Sequence, residues 1–202
     1  MIRTTTRIAL AAAATFAASL GPAALAEASV KCQPHGSHTI TQNSQVRVYG
    51  KNGNAYACYR SSGSTTLLQN ASPSSDKFAV GGRWVGWSSS DPTDSSVLPH
   101  SIVTVMRTSD RLINSRWYPG QLNETIRKIV VLSDGAGAWA ITPEPGSDSS
   151  FTIVQGTDRA GHPADQFSDD HTDLVGSSLH LISGKTIGWK YTDGTKGTQA
   201  LY

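Results

Sequence analysis

Short apolar runs of period two recur along the chain, and three of them end alike. They are Val80-Gly-Gly-Arg-Trp-Val-Gly-Trp87, Leu132-Ser-Asp-Gly-Ala-Gly-Ala-Trp139 and Ile182-Ser-Gly-Lys-Thr-Ile-Gly-Trp189, with the tryptophans 52 and 50 residues apart. Each run contains a two-residue turn sequence (Gly81-Gly82, Asp134-Gly135, Ser183-Gly184), where glycine supplies the positive φ of a tight hairpin. Apolar residues flank the turns: Phe78 and Val80 before Val85 and Trp87, Val130 and Leu132 before Trp139, Leu179 and Leu181 before Ile187 and Trp189. Side chains alternate across a strand, so Val85 shares a face with Trp87, and Ile187 with Trp189. The opposite face carries Gly86, Ala138 and Gly188, small enough for an adjacent layer to approach closely. Packing between repeated sheets accounts for the tryptophans more simply than ligand stacking does.

A second motif adds another hairpin to each unit. Val105-Met-Arg-Thr-Ser-Asp-Arg111 matches Ile153-Val-Gln-Gly-Thr-Asp-Arg159 48 residues on, with a weaker copy, Cys58-Tyr-Arg-Ser-Ser-Gly-Ser64, 47 residues earlier. The units read as approximately 45–68, 78–115, 126–164 and 179–202, the middle two complete and the end two partial. The predicted fold is all-β: four-stranded antiparallel repeats of about 50 residues, forming a small or partial β-propeller of about four blades. Closure of the ring by the two partial units stays open. Helix is scarce. Leu122, Ile126, Ile129 and Val130 have amphipathic spacing, but the β-branched run from Ile126 to Leu132 leads into a hairpin turn and reads as strand.

The pattern of Leu132 to Trp139, followed by Phe151-Thr-Ile-Val154 and Thr157-Asp158, resembles the TolB-type propeller repeat. Small secreted actinobacterial proteins with short arrays of such repeats look similar, down to a cysteine in the first unit and a Gly-x-x-x-Gly-Trp ending. The chain lacks the proline usual before the Asp-Gly turn of that family. The resemblance implies scaffolding or binding rather than catalysis and fixes no functional residue.

The first twenty-six residues read as a leader. Arg3 and Arg7 give a basic start, Ile8 to Leu20 an apolar stretch, and Ala24-Leu25-Ala26 a cleavage site. The apolar stretch is too short to span a bilayer, and no Arg-Arg pair is present, so residues 1–26 are expected to direct export by the general secretory pathway. Residues 27–202 then form a single propeller-like domain. Of the 17 Lys and Arg, two lie in the leader, leaving fifteen against 15 Asp and Glu. A neutral chain without a basic cluster has no electrostatic footprint for nucleic acid or for an anionic membrane surface. Cys32 and Cys58, in an oxidising compartment, are expected to form one disulfide, which stabilises by roughly 3–4 kcal/mol in the chain-entropy model.

Candidate chemistry is sparse. His162, Asp165, Asp169, Asp170, His171 and Asp173 crowd within twelve residues, where imidazole suits zinc and carboxylate suits calcium. Their spacing matches neither an EF-hand nor H-E-x-x-H, and a solvated loop is the simpler reading. No G-x-S-x-G nucleophile motif occurs, and Gly135-Ala-Gly137 reads as a hairpin turn rather than a dinucleotide loop. Asp91 or Asp94 with Glu144 or Asp148 offers carboxylate pairs, each in a Ser/Pro/Gly-rich loop. Successive connections of a meander alternate between its two ends. The tight turns therefore share one end and the long loops the other, gathering Asp91, Asp94, His100, Glu144, Asp148 and the 162–173 cluster on one candidate binding face. The expected function is a secreted non-catalytic binding or scaffold module recognising an extracellular protein or carbohydrate. The alternative is an extracellular hydrolase using loop carboxylates, with metal assistance. No cofactor is expected, with a calcium or zinc ion at the His/Asp loop left open, and the partners exclude nucleic acid and membrane insertion.

Overall fold

The period-two runs form strands, and consecutive strands pair as antiparallel meanders. The computed structural model describes residues 32–90, 101–117, 125–142, 152–162, 166–168 and 173–202; the leader lies outside them. The first sheet contains β1 (His38–Gln42), β2 (Val46–Lys51), β3 (Asn54–Tyr59) and β4 (Ser64–Leu67). The second contains β5 (Phe78–Gly81), β6 (Trp84–Ser90), β7 (Ser101–Arg107) and β8 (Leu112–Trp117). The third holds β9 (Thr125–Val131), β10 (Gly137–Thr142) and β11 (Ile153–Thr157), and the fourth β12 (His180–Ser183), β13 (Thr186–Lys190) and β14 (Lys196–Ala200). Among the described residues the helical content is one 3-10 turn, Gly176–Ser178, and no helix is long and apolar enough to cross a membrane.

Several sequence expectations need correction. The first unit is a complete four-stranded sheet that starts at His38, not a partial one from Val46. Strand β1 reads His-Thr-Ile-Thr-Gln, with one apolar residue and hence no visible alternation. Its turn is set instead by Asn43, whose Oδ1 accepts from the Gln45 and Val46 amides at 2.8 Å each. The β2–β3 hairpin turns at Asn52-Gly53, both at positive φ (51° and 78°), as a two-residue turn matching strand twist requires. In the second and fourth sheets the turns slip one residue, to Gly82-Arg83 and Gly184-Lys185, because Gly81 pairs with Trp84 and Ser183 with Thr186. Gly81 has no room for a side chain: a Cβ there would lie 2.1 Å from the Val131 carbonyl oxygen. The third unit has three strands among the described residues. Beside β11, the place of a fourth is taken by an irregular segment in which Phe167 N donates to Val154 O (2.8 Å) and Ser168 Oγ accepts from Val154 N (2.8 Å).

Three apolar junctions join consecutive sheets. Val46, Val48, Ala55 and Ala57 of the first meet Val85, Trp87 and Met106 of the second. Trp84, Val103 and Val105 of the second meet Ile129, Val131, Trp139 and Ile141 of the third. Ala138, Ala140 and Val154 of the third meet Leu179, Ile187 and Trp189. Each repeated tryptophan thus points back at the preceding sheet and is buried there, as the packing reading expects. Burying one such large side chain contributes on the order of 3 kcal/mol. The small residues between them face forward, and a Cβ on Gly86 would stand 2.5 Å from Val131 Cγ2.

The two terminal faces differ from these junctions. The disulfide Cys32–Cys58 (Cα–Cα 5.5 Å) seals the outer face of the first sheet, as expected from the sequence. Tyr49 stacks on Tyr56 at 5.4 Å beside it, and the buried Arg47 guanidinium lies 5.1 Å above the Tyr49 ring. Arg47 donates to Cys32 O, to Thr39 Oγ1 (2.8 Å) and to Ser37 Oγ (3.2 Å); burial, then the Arg60 charge, lowers its pKa. By strand register the outer face of the fourth sheet carries Thr186, Lys190, Lys196 and Thr198 around Gly188, over which the exposed Ile182 and His180 side chains lie. Earlier sheets present valine, alanine and glycine there.

Candidate functional site

The first junction does not close along its whole length. A cleft of about 390 Å3 opens between the first and second sheets. One wall is β4 (Thr65, Thr66, Leu67) with Gln69 and Asn70 of the connection that follows. The other wall is built on cross-strand pairs. Trp87 opposes Thr104, and Met106 opposes Ile113, so all four side chains face the first sheet. Ser89 and Arg111 complete that wall.

Hydrogen bonds fix the cleft's frame. Trp87 Nε1 donates to Gln69 O at 3.2 Å, which orients the indole and pins the connection between the two sheets. Arg111 holds a left-handed φ of 60° at the β7–β8 turn, and its Nη2 lies 3.4 Å from Thr65 O across the cleft. Thr104 and Ser89 are only 4% and 5% exposed. Both line the cleft. Ile113 is 54% exposed and gives the mouth an apolar lip, whereas Leu67 pairs with Tyr56 and so turns its side chain to the outer face of the first sheet. The floor of the connection carries Asp76, whose Oδ2 accepts from Ser72 N (2.5 Å) and whose Oδ1 lies 3.4 Å from Ser88 Oγ. Burial pushes this carboxyl above its ordinary value in spite of those bonds.

Of the residues that sequence placed on one loop face, His162 and Asp173 are described; Asp91, Asp94, His100, Glu144, Asp148, Asp165, Asp169, Asp170 and His171 lie outside the described residues. The two are not brought together. His162 Nδ1 lies 3.1 Å from Asp158 Oδ2, just past the end of β11 where Thr157 pairs with Gly137. That is the end of the tight turns, beside Asn114 and Gly135. Asp173 instead accepts from Thr152 N at 2.8 Å, at the opposite end of β11. Five residues of strand separate these ends by roughly 17 Å. Asp158 is partly desolvated, which raises its pKa, but hydrogen bonds from the His162 ring and amide and the Ala160 amide hold the carboxyl below its ordinary value. Among the described residues no three His, Cys, Asp or Glu side chains form a group that could hold a metal ion.

None of the polar groups in the cleft was singled out by sequence. Thr104 and Ser89 look like any strand hydroxyl until the register puts them beside Trp87 on the inter-sheet face.

No family model and no curated protein matches the chain. Solved structures do. KlAtg21, in its complex with the coiled-coil of AgAtg16, superposes with a TM-score of 0.53 at 14% identity, covering 84% of this chain and 54% of that one. Hsv2 of Kluyvelomyces marxianus gives a TM-score of 0.43 at 13% identity, covering 75% of this chain and 48% of its own. The chain spans about half the length of the KlAtg21 chain it matches. KlAtg21 is a β-propeller, so the four sheets are a partial propeller. The comparisons support that architecture and not the TolB-type family that the repeat resembles.

Proposed function

We propose that the chain is a secreted, non-catalytic binding or scaffold module that recognises an extracellular protein or carbohydrate. The carrying observation is the cleft between the first two sheets. It is framed by hydrogen-bonded elements of a packed repeat array and lined by polar side chains, among them the buried Thr104 and Ser89. Sites of this kind, apolar with a few placed polar groups, bind ligands with little rearrangement. The Cys32–Cys58 disulfide supports an oxidising destination, and the leader pattern supports the general secretory route. KlAtg21, solved with a coiled-coil, supports a propeller surface as a binding platform.

No cofactor belongs to this reading. The mature chain is screened against arrayed glycans and cell-wall and surface proteins, before and after dialysis against a chelator. Saturable binding that survives the chelator supports the proposal. Hydrolysis of an arrayed substrate, lost with the chelator, overturns it in favour of a metal-assisted hydrolase.

A further inference from the structure

We propose that the cleft between the first and second sheets is a carbohydrate site, taking one or two sugar units of which one carries a carboxylate. This rests on the binding-module reading and gives it a ligand class. A volume of about 390 Å3 suits a small saccharide rather than a folded surface.

The lining chemistry narrows the class. Thr104 and Ser89 are more than nine-tenths buried and line the cleft. A hydroxyl both donates and accepts, and a ligand that does the same matches it. Thr66, Gln69 and Asn70 line the facing wall with further groups of both kinds. An acyl chain would leave them all unpaired. A sugar ring also has apolar C–H faces, and Ile113 stands exposed at the mouth to cover one.

Charge selects among sugars. Among the described residues Arg111 is the charged lining group, no carboxylate lines the cleft, and none pairs with Arg111. Its guanidinium is held near Thr65 O at the mouth, positioned for bidentate contact with a carboxylate. The other junctions lack these features. The cross-strand neighbour of Trp139 is Gln155, which already has an interaction partner, and that of Trp189 is Gly197, over which the indole itself lies. At the first repeat junction the neighbour of the tryptophan is a hydroxyl, Thr104.

Calorimetry on the mature chain, with a glucuronate–N-acetylglucosamine disaccharide and neutral cellobiose as probes, tests this. The acidic disaccharide is expected to bind more tightly than cellobiose and to shift the Trp87 indole N–H resonance. Thr104→Val, which keeps shape and removes the hydroxyl, is expected to weaken both probes about fivefold. Arg111→Gly keeps the positive φ and is expected to weaken the acidic probe about tenfold while leaving cellobiose unchanged. Lys196→Ala, on the outer face of the fourth sheet, is expected to change neither, and matched unfolding midpoints establish that all variants fold. Binding that survives both cleft substitutions places the ligand elsewhere and overturns the site while the binding-module reading stands. No binding of either sugar by a chain that captures a protein in the screen overturns the carbohydrate class. Failure of the whole screen removes the binding-module reading itself.

Discussion

Replacing Gly86 by alanine would place a methyl carbon 2.5 Å from Val131 Cγ2 and 3.3 Å from Ile129 Cγ2. Carbon atoms rest at about 3.5–4.0 Å, so the third sheet must give by about 1 Å. Val131 is β-branched and buried, with little rotameric freedom to yield. Overpacking of this kind costs roughly 1–3 kcal/mol, offset by about 0.4–1 kcal/mol from the stiffer unfolded chain. The net expectation is a loss of about 1–2 kcal/mol. Gly188 holds the same motif position, and neither glycine has positive φ. Its added Cβ would lie 2.6 Å from Ile182 Cδ1 and 3.3 Å from His180 Cε1. Those are the far ends of exposed side chains, Ile182 being 52% exposed, and they can swing into water. Gly188→Ala should therefore be neutral or stabilising by up to about 1 kcal/mol. Urea midpoints of the two variants, at unchanged m-value, measure the difference. Equal destabilisation by both would refute the reasoning, since it would mean that a neighbour also covers the outer face of the fourth sheet.

Trp139→Ala at the second junction should cost about 3–5 kcal/mol, and ready iodide quenching of the native tryptophan would contradict its burial. Replacing Cys32 and Cys58 together by alanine should cost about 3–4 kcal/mol, since the bridge closes a separation of 26 residues; an unchanged melting midpoint would rule out that contribution. Because burial raises the Asp76 carboxyl, its folded pKa exceeds the unfolded value of about 3.9. The group stabilises below that unfolded value, and the benefit is lost as pH rises through the folded value. Asp76→Asn should remove this decline, so parallel stability–pH curves for the two proteins between about pH 3.5 and 6.5 would count against it.

The sequence by itself determined most of the strands, the repeat, the disulfide and which residues share a face with Trp87 and Trp189. These are local properties. A period of two sorts side chains between faces whatever the surroundings, and glycine-bearing turns mark hairpins within a few residues. It even favoured strand over helix for Ile126 to Leu132, since β-branched density leading into a turn is also a local signal. What it could not decide depends on pairing across the chain. Strand β1 is polar in composition and exists because Asn43 turns it onto β2. The hairpins at Gly82-Arg83 and Gly184-Lys185 slip a residue because the neighbouring sheet presses on Gly81 and because Ser183 pairs with Thr186. His162 and Asp173, close in sequence, part to opposite ends, His162 on Asp158 past the end of β11 and Asp173 on Thr152 before its start, with Phe167 and Ser168 bonded to Val154 between them. The cleft is the clearest case. Thr104 and Arg111 of one sheet meet Thr65 and Thr66 of another only when two sheets pack on Val85 and Trp87, and no local pattern records that distance.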